Sequence, residues 1–230
     1  MLAGVSVTWY TWLEQGRPIN ASRDVLDALA RTLRLEPAER AHLLTLASGP
    51  AAEVDTPVDS PDALVRLIAS MEPAPAYVLG PRWEFLAWNQ AQARLYPPIE
   101  RLEGLRRNLL WVVFADPSTR TLLDDWPEQA RRILAEFRAG TAALRTDPVV
   151  VELVAELTGA SEEFAAWWAA QDVAGFRTRV RRYHHPRAGD LVFEYQQLTP
   201  SEWPALKVVC QLPVPGDDSA ARLAAWHRVI

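Results

Sequence analysis

The groups in this chain with chemical potential are few and scattered. Adjacent His184 and His185 invite a metal reading. Neighbours on a strand point to opposite faces, however, and no third ligand type stands at metal-binding spacing beside them. Asp124-Asp125 and Glu162-Glu163 resemble paired carboxylates for acid–base work, yet each pair precedes a helical pattern, where the macrodipole favours negative charge. Arg106-Arg107-Asn108 is more suggestive. An arginine fork holds a carboxylate bidentately, an asparagine offers both donor and acceptor, and Trp111 and Phe114 follow three residues apart. A polar mouth with an aromatic wall suits an amphipathic ligand; a structural ion pair with Trp111 in the core fits the same residues. Arg177, Arg179, Arg181 and Arg182 crowd another stretch. Three of them share a strand face at period two, which reads as a solvated face or one that meets acidic partners. No nucleophile elbow, phosphate loop or dinucleotide fingerprint occurs, and the ten glycines are never clustered. The expectation is a protein without catalytic residues, metal ligands or cofactor, and not an enzyme.

The elements that must position these groups are bounded by composition. A chain of 230 residues, 49% hydrophobic and 23% charged, can bury one substantial core plus a small module. Cys210 is the only cysteine, so neither an intrachain disulfide nor a cysteine-rich zinc site can form. Ten tryptophans are available for a core or a ligand wall. No apolar run long enough for a membrane span and no signal-peptide layout is visible, so a soluble, cytoplasmic protein is expected.

The N-terminal stretch reads as the turn and second helix of a helix-turn-helix. Gly4 permits a sharp turn, Ser6 caps the following helix, and Gly16 ends it with a left-handed cap. Val5, Tyr10 and Leu13 form a buried stripe at helical spacing, while Val7, Thr8, Thr11 and Trp12 face elsewhere. Ser22 can cap a second helix with Val25, Leu26, Leu29 and Leu33 on one face. Glu36-Pro37-Ala38-Glu39 opens a third, with Leu43, Leu44 and Leu46 inward. The stretch Gly4-Val5-Ser6 to Leu13-Glu14-Gln15-Gly16-Arg17, continuing through Leu35, resembles the Xre/Cro-like helix-turn-helix family. That resemblance implies that Val7, Thr8, Thr11 and Trp12 read bases in double-stranded DNA, and that Ser6 and Arg17 contact phosphates. The family places two helices before the turn, and the chain starts three residues upstream of Gly4, so residues 1–49 are expected to form a partial module. The module carries five Arg against five Asp or Glu and is neutral, so one copy would hold phosphates weakly and a homodimer is expected.

Residues 50–61 read as a linker. Beyond it, a helix over 63–71 precedes a hairpin over 76–89, after which Asn89 can cap a helix. Helical patterns follow: 108–114, a turn from Asp116-Pro117, a long helix from Asp125-Trp126-Pro127 to about 143, one from Asp147-Pro148, and one capped by Ser161. Strands over 177–185, 191–198 and 205–212 and a short last helix from Ser219 complete the pattern. Two strands, a helical insert and three strands predict an α+β fold: a five-stranded antiparallel sheet with helices on one face.

This second part, residues 62–230, resembles the ligand-binding domain of MmyB-like transcription regulators. The residues that carry the likeness are Trp88-Asn89; Arg107-Asn108-Leu109-Leu110-Trp111 with Phe114, Asp116 and Pro117; Trp126; Tyr183-His184-His185-Pro186 with Gly189-Asp190-Leu191; and Tyr195. The resemblance implies a PAS-like fold, a ligand-sensing role and control of bacterial transcription. The candidate ligand-binding residues are Trp88, Arg107, Asn108, Trp111, Phe114, Trp126, His185 and Tyr195, with Phe137 on the same wall. They favour a fatty-acid-like amphiphile, because a polar group buried without a partner costs several kcal/mol. The combined expectation is a one-component regulator. Its alternative is a sensing or interaction protein that does not bind DNA.

Overall fold

A computed structural model of the chain describes residues 5–17, 19–49 and 60–227. Gly4 and all but the last two positions of the expected linker lie outside them. The N-terminal module consists of α1 (Val7–Glu14), α2 (Arg23–Thr32) and α3 (Pro37–Ala47). Local chemistry sets each boundary. The Ser6 hydroxyl accepts from the Trp9 amide at 3.1 Å. Gly16 closes α1 at φ 67°, and the Ser22 hydroxyl accepts from the Val25 amide. At α3 the Glu36 amide donates to the Glu39 carboxylate at 2.7 Å, half of a capping box. Leu26, Leu29 and Ala30 of α2 are buried, whereas Leu46 of α3, expected inward, is 39% exposed. It lies along a cleft between α3 and the larger unit.

That unit opens with α4 (Asp62–Ser70), the strands β1 (Ala76–Leu79) and β2 (Phe85–Trp88), and α5 (Gln90–Leu95). Asn89 ties them together. Its Oδ1 accepts from the Ala76 and Gln92 amides at 3.0 and 2.9 Å, and its Nδ2 donates to the Ile68 and Ala74 carbonyls at 3.0 and 2.8 Å. A buried amide with both ends satisfied fixes register as well as capping the helix. The helical insert comprises α6 (Leu109–Phe114), α7 (Pro117–Leu122), α8 (Trp126–Gly140), α9 (Pro148–Ala160) and α10 (Glu162–Ala169). Asp125 precedes α8 in left-handed backbone at φ 48° and makes no side-chain capping bond. Strands β3 (Arg179–His185), β4 (Gly189–Leu198) and β5 (Lys207–Pro213) and helix α11 (Ser219–His227) follow.

The five strands form one antiparallel sheet in the order β2-β1-β5-β4-β3. The alternation of side chains along each strand separates two apolar clusters. Tyr77, Phe85, Tyr183, Phe193, Tyr195 and Val209 meet α5 to α8 on one face. Helices also occupy the other face, contrary to the one-sided expectation: Leu64 and Ile68 of α4 pack on Ala76, Val78, Val208 and Cys210. The cause is visible in β1, where all four residues are apolar and buried, so its outward positions also need cover. Among the described residues, no helix is long and apolar enough to cross a membrane.

Two ion pairs brace the insert. Arg82 donates from Nη2 to Asp147 at 2.7 Å and from Nε to both Asp147 oxygens at 2.9 and 3.0 Å. Asp147 also accepts the Val149 and Val150 amides at the start of α9. Arg120 grips Glu163 through two bonds of 2.7 and 2.8 Å. Arg82 holds the Asp147 carboxyl below its ordinary range, and Arg120 draws Glu163 down to about 2. Depressed carboxyl values mean stability that is present above the unfolded-state values and lost as pH falls through the folded ones. The free energy of unfolding should therefore be flat near neutrality and decline below about pH 4.5. Asp147→Asn keeps a good cap but removes the ion pair, so it should cost about 1.5–3 kcal/mol at pH 7 and flatten that acid slope. A pH series of urea melts measures both.

Candidate ligand-binding site

β3 decides where the polar chemistry lies. Its alternating burial turns Arg179, Arg181, Tyr183 and His185 toward the helices and leaves Val180, Arg182 and His184 outward. The arginine face expected in solvent is thus the inner face. Two neighbours make this tolerable: Glu136 of α8 pairs with Arg179, and Tyr195 of β4 lies under Arg181. The Arg181 guanidinium centre stands 3.8 Å from that ring centroid, a cation–π contact that gains strength when desolvated.

Arg181 is 4% exposed. It shares a side-chain hydrogen bond with Tyr183, and burial pulls its pKa below the ordinary arginine value. Its Nε has no hydrogen-bond partner, and among the described residues no carboxylate lies within ion-pair distance of it. A buried cation without an anion is expensive. Around it the sheet and helices α5 to α8 enclose a cavity with about 50 Å³ of free space, walled by Phe85, Leu95, Val112, Leu122 and Ile133 among others.

The cavity's other polar groups are mostly occupied. The Tyr77 and Tyr195 hydroxyls contact each other, and burial pushes the Tyr195 hydroxyl upward. Gln211 Nε2 donates to Gln92 Oε1 at 2.9 Å, which leaves Gln211 Oε1 without a partner. Thr119 donates to the Val112 carbonyl at 2.7 Å. What remain are the unpartnered Gln211 Oε1 and one positive charge in a largely apolar chamber, and the charge is the group that can receive an acidic head group.

Of the eight ligand-binding candidates read from the sequence, Tyr195 lines this cavity. The others stand elsewhere. Trp88 ends β2 in register with Tyr77. The Arg107 carbonyl accepts from the Phe85 amide. Asn108 is spent on backbone: it donates to the Arg82 carbonyl at 2.8 Å and accepts from the Leu110 amide at 2.9 Å. Trp111 sits half-buried under Arg106 at 5.3 Å. Phe114 and Trp126 do meet, with Phe164 and Trp167, in an aromatic cluster between α6, α8 and α10. Phe137 packs between Trp83 and Trp168. His185 accepts the Arg187 and Ala188 amides at Nδ1 and packs on Trp226 at 4.5 Å. His184 is exposed between Asp190 and Asp124, which raise its pKa. Arg181 escaped the sequence reading as a ligand residue, although its parity with Tyr183 and His185 was a usable signal.

In the N-terminal module, Ser6, Val7, Thr8, Thr11, Trp12 and Arg17 are all exposed. Val7 is 83% and Trp12 41% exposed, and the Arg17 guanidinium lies 5.7 Å from the Trp12 ring. The helix therefore offers a continuous free face. α3 contacts α8 and the 142–144 turn, so the module is joined to the larger unit by packing.

Residues 60–225 match the family model described as MmyB-like transcription regulator ligand binding domain. Residues 1–43 match that of a helix-turn-helix domain. No curated protein matches the chain.

Proposed function

We propose that this chain, which belongs to the MmyB-like transcription regulator family, is a one-component DNA-binding regulator that senses an amphipathic, fatty-acid-like carboxylate in its PAS-like domain. The observation that carries the ligand reading is Arg181, a buried arginine with an unpaired N–H in an apolar chamber. A carboxylate on Arg181 supplies the missing anion, and Tyr195 lies beside it. Free space of about 50 Å³ holds a few waters, not an alkyl chain. Chain entry thus requires α6 and α7 to give way, and a ligand that binds only the opened state shifts the equilibrium toward it. Each buried methylene then contributes roughly 0.8 kcal/mol. Solvent extraction and mass spectrometry of the purified protein should yield a long-chain acid. Empty extracts, with no thermal shift across a series of long-chain acids, would refute the ligand.

DNA reading is assigned to Val7, Thr8, Thr11 and Trp12, with Ser6 and Arg17 on phosphates. Thr8→Ala or Trp12→Ala should cost on the order of 1–3 kcal/mol and change sequence preference. Arg17→Ala should weaken every site alike and flatten the salt dependence. Gel-shift titrations over an operator library separate the two behaviours. A neutral module needs two copies on DNA, so sedimentation equilibrium should find a homodimer at micromolar concentration. One observation favours the rival reading, a sensor that does not bind DNA: no residue of α1 is buried. No binding of the native chain to any member of the operator library would support that rival, and unchanged binding by the Thr8 and Trp12 variants would show that α1 does not read bases.

A further inference from the structure

A second cleft separates the N-terminal module from the ligand-binding domain. α3 lends it His42 and Leu46, and the facing wall is built from Arg138 of α8, Val151 and Val154 of α9, and Trp168 of α10. Its free space is about 310 Å³, at the lower end of small-molecule sites. The walls are chiefly apolar, yet Arg138 among them is only 5% exposed. Its guanidinium lies 4.2 Å from the Trp168 ring centroid and donates once, from Nη2, to the Trp168 carbonyl. Nε and Nη1 have no hydrogen-bond partner. Asp172 is close enough to favour the charged arginine, but among the described residues no carboxylate forms an ion pair with it. On the opposite wall, His42 Nδ1 is also buried without a partner, and burial together with Arg138 lowers the pKa of this ring.

We propose that this cleft is a second effector site, which takes a small, ring-sized apolar monocarboxylate between the two modules. The reasoning is one of matching. A neutral molecule leaves the Arg138 charge uncompensated, and a phosphate is too strongly hydrated to lie against Val151 and Val154. A carboxylate on an apolar ring meets the unpaired N–H groups at one end and the valine and tryptophan surfaces at the other. Because the molecule touches α3 as well as α8 to α10, it binds only while the module is docked. It therefore holds the DNA-binding helices in that orientation. This site is distinct from the Arg181 cavity, which lies between the sheet and α5 to α8.

Equilibrium dialysis of the full chain with 1-naphthoate tests the assignment. One saturable site is expected. Arg138→Gln should weaken it at least tenfold, and so should Val151→Trp, which fills the cleft from a position 51% exposed in the native chain. Arg181→Gln should leave it unchanged. If Arg138→Gln does not fold, judged by circular dichroism, Val151→Trp decides alone. Absence of saturable binding, or binding that Val151→Trp leaves intact, overturns the proposal. So does binding that Arg181→Gln abolishes, which would place naphthoate in the other cavity.

Discussion

Arg181→Met should stabilise the unliganded protein and, in the same step, remove its hold on a carboxylate. The native side chain is a cation 4% exposed with no ion-pair partner among the described residues. Replacing buried ionic groups by apolar ones of similar volume often stabilises by about 1–4 kcal/mol. The gain is reduced by the lost cation–π contact with Tyr195 at 3.8 Å, worth up to about 2 kcal/mol when desolvated. Binding should move the other way. Truncating one partner of a buried charge pair costs about 2–5 kcal/mol, so laurate affinity should fall at least about thirtyfold. Dodecanol, with the same chain and no charge, should bind the variant as it binds the native protein. Urea unfolding and a paired laurate–dodecanol titration give the two numbers. A variant that loses stability while holding laurate normally would make Arg181 a structural residue and sink the assignment.

Such an opposition between stability and binding would be the physical signature of a site, and the burial of Arg181 was hidden in the sequence for a specific reason. Arginines at period two on a strand read as a wet face, because unpaired charge is normally solvated. That reading fails here because the structure supplies what the one-dimensional pattern cannot: Glu136 from α8 for Arg179 and the Tyr195 face from β4 for Arg181. Glu136 is distant in sequence, and Tyr195 reaches Arg181 only across the β3–β4 pairing. Local signals fared better. Ser6, Ser22, Asn89 and Ser161 each cap the helix that follows, and the strand pattern yielded all five strands, since caps and period-two runs are encoded within a few residues. The placement of α4 against the back of β1 was not legible. A four-residue buried strand reads the same whether one face or both are covered.

The aromatic residues pose the same problem from the opposite side. In sequence, a row of tryptophans and phenylalanines near an arginine fork can be a ligand wall or a core. Phe114 is 3% exposed and meets three rings edge-on: Trp126, Phe164 and Trp167, with centroids 5.1 to 6.0 Å away. Trp126 is itself fixed by its indole N–H, which donates to the Val113 carbonyl at 2.9 Å. Such a cluster can close only partly around a lost ring. Phe114→Ala should therefore cost about 3–5 kcal/mol, part of it the edge-on contacts at about 0.5–1.5 kcal/mol each. Phe114→Leu, closer in volume, should cost less than half as much. Because Phe114 stands outside the Arg181 cavity, the folded Phe114→Leu protein should bind laurate with native affinity. Denaturant melts of the two variants, and one laurate titration of Phe114→Leu, separate the roles. A small stability loss joined to a tenfold loss of laurate affinity would return Phe114 to the ligand wall. It would also mean that the chain enters between α6 and α10, not against the sheet beside Arg181 as proposed.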